Sequence, residues 1–317
     1  MNDPDLHFES RGDGPGPHIA TSDTQDVTGL ALGHPACHLM FMRMFFLSLL
    51  TMIAFGANSV LNRAAVGEFG MDPVAFGAIR LGAGAAVLTV LVMAQGRGFA
   101  LGGAGRIVGV AGLLIYIFGF SLAYLTLDAG LGALILFGVV QVTMFGGAVL
   151  AREEVPTSRW AGAGLGLAGL VWLLWPGGAF DVSIMHAGMM IAAGLGWGVY
   201  SLQGRRETDA TQATAMNFLL AAPIAVVLAL VFAGSDSLAT GGIALAVVSG
   251  GITSGLGYAL WYRILPILGA SRGAVAQLSV PVIALGGGIA FLGEPVTLRF
   301  VGAAVLVIAG VLVSMRR

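Results

Sequence analysis

LDAGLGALILFGVVQVTMFGGAVLAREEVPTSRWAGAGLGLAGL, Leu127 to Leu170, matches LGASRGAVAQLSVPVIALGGGIAFLGEPVTLRFVGAAVLVIAGV, Leu268 to Val311, without a gap at a shift of 141 residues (127 to 268). Ala129 falls on Ala270, Gly132 on Gly273, Gly146 and Gly147 on Gly287 and Gly288, Glu153 on Glu294, and Gly169 on Gly310. Glycine-rich apolar text can match itself by chance. Two carboxylates at one place in otherwise uncharged runs mark an internal repeat instead, and the start of the first apolar run aligns with that of the sixth at nearly the same shift.

The text around the repeat is that of a membrane protein. Of 317 residues 57% are hydrophobic and 10% charged, and the mean hydropathy is +0.92. A soluble domain carries roughly 25% charge, so lipid is the expected solvent. The 50 glycines lie inside the apolar runs, where small residues let helices approach closely. Runs of about twenty residues, each long enough as a helix to cross a hydrocarbon core of ~30 Å, fall near 44–62, 73–95, 107–126, 130–151, 158–176, 186–203, 213–233, 242–262, 271–292 and 298–315. Strands of a β-barrel need only ~10 residues and alternate polar with apolar; LLIYIFGFSLAYLTL does not alternate.

Arginine gives the orientation. With the N-terminus inside, eleven arginines, from Arg43 to Arg317, fall on the inner side, while Arg63 and Arg299 lie at outer loop edges and Arg80 within the second span. This bias predicts N-in and C-in, hence an even number of crossings. A shift of 141 residues carries five spans, an odd number, so the second copy enters from the other face. The expected fold is an all-α membrane protein of ten transmembrane helices in two inverted five-helix repeats, 44–178 and 179–317, and such halves favour alternating access. Residues 1–43 hold six acidic residues and His7, His18, His34 and His38 among Gly, Pro and Ser, reading as a disordered cytoplasmic leader. Met40, Met42 and Met44 offer later starts. The irregular histidine spacing does not make a metal site, and the single Cys37 forms no disulfide framework.

The chain resembles the EamA-type ten-span family of the drug/metabolite transporter superfamily over essentially Met44 to Arg317. The resemblance rests on FGANSVLNR in span one, DPVAFGAIR opening span two, GWGVYSLQGRR in span six, and LSVPVIALGGGIAFLGEPVTLRFVGAAVLVIAG, with its mid-helix proline and Gly-Glu turn. It departs where Val140 stands opposite Pro281, and where Phe55 replaces a tryptophan common in the family. It implies export of amino acids, related metabolites or drugs from a bacterial inner membrane, with no cofactor and a monomer or weak homodimer.

Ionisable residues inside a span are costly and are functional candidates by default. Arg80 lies seven residues into span two and Asn58 four residues before the end of span one, so the two sit at similar depth. A guanidinium fork and an amide suit a carboxylate or phosphate; the structural alternative, which the sequence slightly favours, is that Arg80 caps carbonyls of span one or snorkels outward and only ties two helices. Tyr116, Gln141, Trp197, Tyr200, Tyr258 and Gln277 are cavity candidates, since ligand pockets are apolar and aromatic with a few polar groups. Tyr124, Gln203, Trp261 and Tyr262 stand near span ends and are expected in an interfacial belt. Glu153 and Glu294 are expected to pair with loop arginines or cap a helix, a structural or gating role shared with Pro281.

Other classes fit less well. An intramembrane enzyme needs a nucleophile with a base, paired carboxylates or a metal cluster, whereas His186 is the one histidine outside the leader and the acids sit at span ends. A channel carries a filter-like segment, which is missing from this text. Nothing points to nucleic acid. No Asp, Glu or His lies mid-span, so uniport, exchange and coupling through an end-of-span carboxylate all stay open.

Overall fold

The computed structural model describes residues 35–103, 105–175, 183–234 and 238–315. The expectations for the leader and its histidines fall largely outside this range. Residues Met44–Arg317 form one compact unit, and all regular structure among the described residues is helical.

Ten helical rods follow one another: α1 (Pro35–Arg63), prolonged by a π-helical turn Ala64–Glu68; α2 (Pro73–Ala94); α3 (Gly105–Ala123); α4 (Ala129–Leu150); α5 (Thr157–Leu174); α6 (Ile184–Gly204); α7 (Ala210–Phe232); α8 (Thr240–Leu268); α9 (Ala270–Leu292); and α10 (Leu298–Met315). The described residues contain seven helices long and apolar enough to cross a membrane; α5, α6 and α10 fall short of that mark. In α6 the reason is chemical: His186, Trp197, Tyr200 and Gln203 dilute its hydropathy.

Local chemistry sets the boundaries. Asp72 caps α2, its Oδ1 accepting from the amides of Val74 (2.8 Å) and Ala75 (2.9 Å), and Pro73 follows with its φ already helical. Asp209 does the same for α7 through Thr211 and Gln212, both at 3.1 Å. The turn from α8 into α9 passes through Gly269 at φ 78°, where a Cβ would be strained. Within α8, Ser249–Leu256 winds as a π-helix, a device found often at functional sites. Helix α9 is broken at Leu278 and Ser279, just before Pro281, whose ring clashes with the preceding turn. Its counterpart α4, with Val140, runs unbroken.

Helices α2 and α7, α4 and α9, and α5 and α10 pack against each other, and α6 lies along both α3 and α4. Large apolar side chains cover the outside, Leu150 at 87% and Leu298 at 91% exposure among them. Exposed apolar surface on this scale fits a lipid-facing belt rather than a water-facing one.

Candidate functional site

Arg80 is fully buried on α2. The side chain reaches α8 and α3: Nε donates to Ser254 Oγ at 2.8 Å, and Nη2 donates to the hydroxyls of Tyr258 (2.5 Å) and Tyr116 (3.1 Å). Its guanidinium also lies over the rings of Phe120 (5.2 Å) and Tyr116 (5.4 Å), an arrangement worth more when desolvated. It neither snorkels nor caps α1. Glycines admit it: a side chain at Gly250 would collide with the Arg80 carbonyl, and a Cβ at Gly84 would lie 2.9 Å from the Gly250 carbonyl.

Asn58 on α1 joins the same network through its oxygen. Oδ1 accepts from Thr253 (2.5 Å), Ser249 (2.8 Å) and Ser254 (3.3 Å). Those three hydroxyls come together because Ser249 is four and five residues from Thr253 and Ser254 in the π-helical stretch. Two donors remain without a partner, Arg80 Nη1 and Asn58 Nδ2, both buried. Among the described residues no carboxylate forms an ion pair with Arg80. A buried cation is ordinarily paired, and a buried donor left unmade costs about 1–3 kcal/mol.

An aromatic wall surrounds the network. Trp197 has ring centroids 4.5 Å from Tyr258, 4.9 Å from Tyr116 and 5.1 Å from Phe55. Trp197 Nε1 donates to Gln277 Oε1 at 2.6 Å, and Gln277 Nε2 reaches Met144 Sδ at 3.1 Å. The structure thus brings together Asn58, Arg80, Tyr116, Trp197, Tyr258 and Gln277. Tyr200 joins the wall at its edge, stacked on Trp197 at 5.4 Å and 6.3 Å from Tyr258, with Tyr262 on it at 4.7 Å. Gln141 stands apart on α4, its oxygen turned toward Gly166 of α5 and both amide atoms without partners.

Three residues expected in an interfacial belt are interior. Tyr124 donates to the Ala129 carbonyl (3.2 Å), Trp261 Nε1 to Ser201 Oγ (3.0 Å) and Tyr262 to the Tyr200 carbonyl (2.9 Å), and all three are buried. Helix α8 runs six residues past the expected end at 262, which draws Trp261 and Tyr262 inside. Gln203 is half-buried against Gly105.

The two glutamates have distinct partners. Glu153 forms an ion pair with Arg205 at 2.5 Å. Glu294 Oε1 accepts from the Ala129 amide, the first of α4, at 2.7 Å, and burial, ahead of nearby Asp128, pushes its carboxyl above the usual range, against the hydrogen bond from Ala129. Ser249, Thr253 and Ser254 are the site residues that the sequence reading missed. Three hydroxyls within six residues of an apolar helix are the signal that marks them.

Among known proteins, the EamA-like transporter family matches residues 185–316. A Pseudomonas aeruginosa protein, described as Uncharacterized protein PA1977, is 44% identical over 269 residues, covering 85% of this chain and 93% of that protein. A crystal structure 23% identical in sequence superposes with a TM-score of 0.64 over 84% of this chain and 97% of its own, a likeness of fold. This chain is a multi-pass membrane protein that belongs to the EamA-like transporter family.

Proposed function

We propose that this protein exports small polar metabolites, amino acids or related compounds, across the bacterial inner membrane by alternating access. In this reading ten crossings form two inverted five-helix halves, with both termini inside and the substrate held between the halves. The packing of α2 on α7, α4 on α9 and α5 on α10 supports it, because each helix there meets the one five further on, onto which a two-fold relation between halves would map it. So does the arrangement of Arg80 on α2, Asn58 on α1 and the hydroxyls of α8, one site built from both halves.

The observation that carries the reading is the pair of buried, unpartnered donors, Arg80 Nη1 and Asn58 Nδ2, on and beside a cation that pairs with no carboxylate among the described residues. They suit a carboxylate or phosphate of the substrate, which would supply the missing acceptors. A thermal-shift screen of the purified protein against amino acids and organic acids identifies ligands, since binding to the folded state alone raises Tm. With a ligand in hand, Arg80→Ala abolishes flux into proteoliposomes while the protein remains folded and inserted. Transport retained by Arg80→Ala removes the anion site from the reading.

A further inference from the structure

Beside the Asn58 network lies a cavity of about 810 Å³ between α1, α8 and α9, within the range of small-molecule pockets. Its walls are largely apolar, Ile53, Val60, Val248, Ile283 and Phe291 among them, and Ala57, Thr253 and one acid, Glu68, also lie on the lining. Ala57 adjoins Asn58 in sequence, and Thr253 donates to Asn58 Oδ1. The apolar space therefore comes within one side chain of Asn58 and two of Arg80, through Ser254. Gly286 on α9 lines the cavity and has open space where a Cβ would stand.

The polar end is one-sided in charge. Arg80 is the cation, and no carboxylate among the described residues pairs with it; Glu68, the acid on the cavity lining, is exposed and stands ten residues, about 15 Å of helix, beyond Asn58. A zwitterionic amino acid whose carboxylate met Arg80 would leave its ammonium without a carboxylate partner in a low-dielectric site. A monoanion with an apolar chain meets both features at once: its carboxylate satisfies the two free donors and neutralises the guanidinium, while its chain fills the cavity. We propose that the preferred ligand class is such an amphiphilic carboxylate, its head at Arg80 and Asn58 and its chain between α1, α8 and α9. This rests on the anion-binding reading above and, within it, puts amphiphilic monocarboxylates in place of amino acids.

The test uses the full chain in phosphatidylcholine nanodiscs with radiolabelled octanoate as probe. Octanoate binds saturably; acetate competes at least about tenfold more weakly, because each buried methylene adds affinity, and leucine and octylammonium do not compete. Gly286→Trp fills the cavity and brings octanoate down to the affinity of acetate, and Arg80→Gln abolishes binding. Val248→Trp, on the facing wall, repeats the block if Gly286→Trp does not fold. Acetate equal to octanoate, with Arg80→Gln still abolishing both, overturns the amphiphile and leaves the anion site standing. Octanoate binding that survives Arg80→Gln overturns both. Leucine competing as well as octanoate overturns the monoanion, and displacement by phosphatidylglycerol in the disc gives the cavity to lipid and overturns the assignment.

Discussion

Helices α6 and α1, each the first of a proposed half, meet their neighbours in opposite ways. Along α6 the contacts are backbone to backbone. A Cβ at Gly196 would stand 2.7 Å from the Gly112 carbonyl of α3, one at Gly119 2.8 Å from that of Met189, and one at Gly194 2.8 Å from that of Leu136 on α4. Along α1 the approach to α9 is made at Gly56, against Ile283 and the Ala284 amide, and the apolar cavity opens alongside. Charges follow the same division. Arg97–Asp209 (2.7 Å), Arg106–Glu207 (3.5 Å) and Arg205–Glu153 (2.5 Å) tie the segment after α6 to the first half, whereas past α1 the pair is Arg63–Asp128 at 4.0 Å. In lipid, apolar area gives no drive for helices to associate, so glycine placement and ion pairs decide which seam is shut. The α6 seam is shut, whereas the α1 seam, close at Gly56, is parted alongside it by the apolar cavity.

The largest effect should come from forcing the shut seam. Gly196→Val drives two branched methyls into the α3 backbone, which has nowhere to yield, and should cost about 3 kcal/mol, the upper end of ordinary overpacking. Gly286→Ala on the parted seam meets open space and should leave stability unchanged or raise it by up to about 1 kcal/mol through helix propensity. Thermal unfolding of the two variants in one detergent checks the difference; equal losses would mean that the seams do not differ in tightness.

A smaller effect separates the ion pairs from the glycines. The Glu153 and Arg205 side chains are 26% and 24% exposed, so the pair is worth at most about 1 kcal/mol. Glu153→Gln should lower stability by less than that, and the loss should shrink at high salt as the wild-type pair is screened. A loss that persists unchanged in molar salt would assign Glu153 a role other than this pair.

Much of this arrangement was legible in the sequence, and for specific reasons. The apolar runs become helical rods, most of them within a few residues of the expected bounds, because run length and caps such as Asp72–Pro73 are local signals; α1 begins nine residues early and α8 ends six late. Arg80 and Asn58 stood out because a charge and an amide are rare in such runs. What stayed hidden depends on rotation about the helix axis. The winding of Ser249–Leu256 into a π-helix, which turns three hydroxyls to Asn58, is not encoded by any single residue type. Nor does span position reveal that Tyr124, Trp261 and Tyr262 find buried partners, since an aromatic near a helix end reads the same whether it faces lipid headgroups or a neighbouring helix. The separation of Gln141 from the cluster has the same origin.

The smallest expected effect concerns Glu294, the counterpart of Glu153 on the other side of the comparison. Its Oε1 accepts from the Ala129 amide, its Oε2 is buried without a partner, and Asp128 and Arg63 are nearby. Burial is the dominant influence and raises its pKa, so the folded state favours the protonated acid. Its stabilising contribution is therefore complete below the ordinary glutamate value of about 4.3 and is lost as pH rises through the raised value in the fold. Glu294→Gln, neutral at every pH and still able to accept from Ala129, should remove that slope without moving the acid-side Tm. Melting curves of wild type and variant from pH 4 to 7 check it. Parallel curves across the window would mean that the hydrogen bond from Ala129 offsets burial and leaves the carboxyl at its unfolded value.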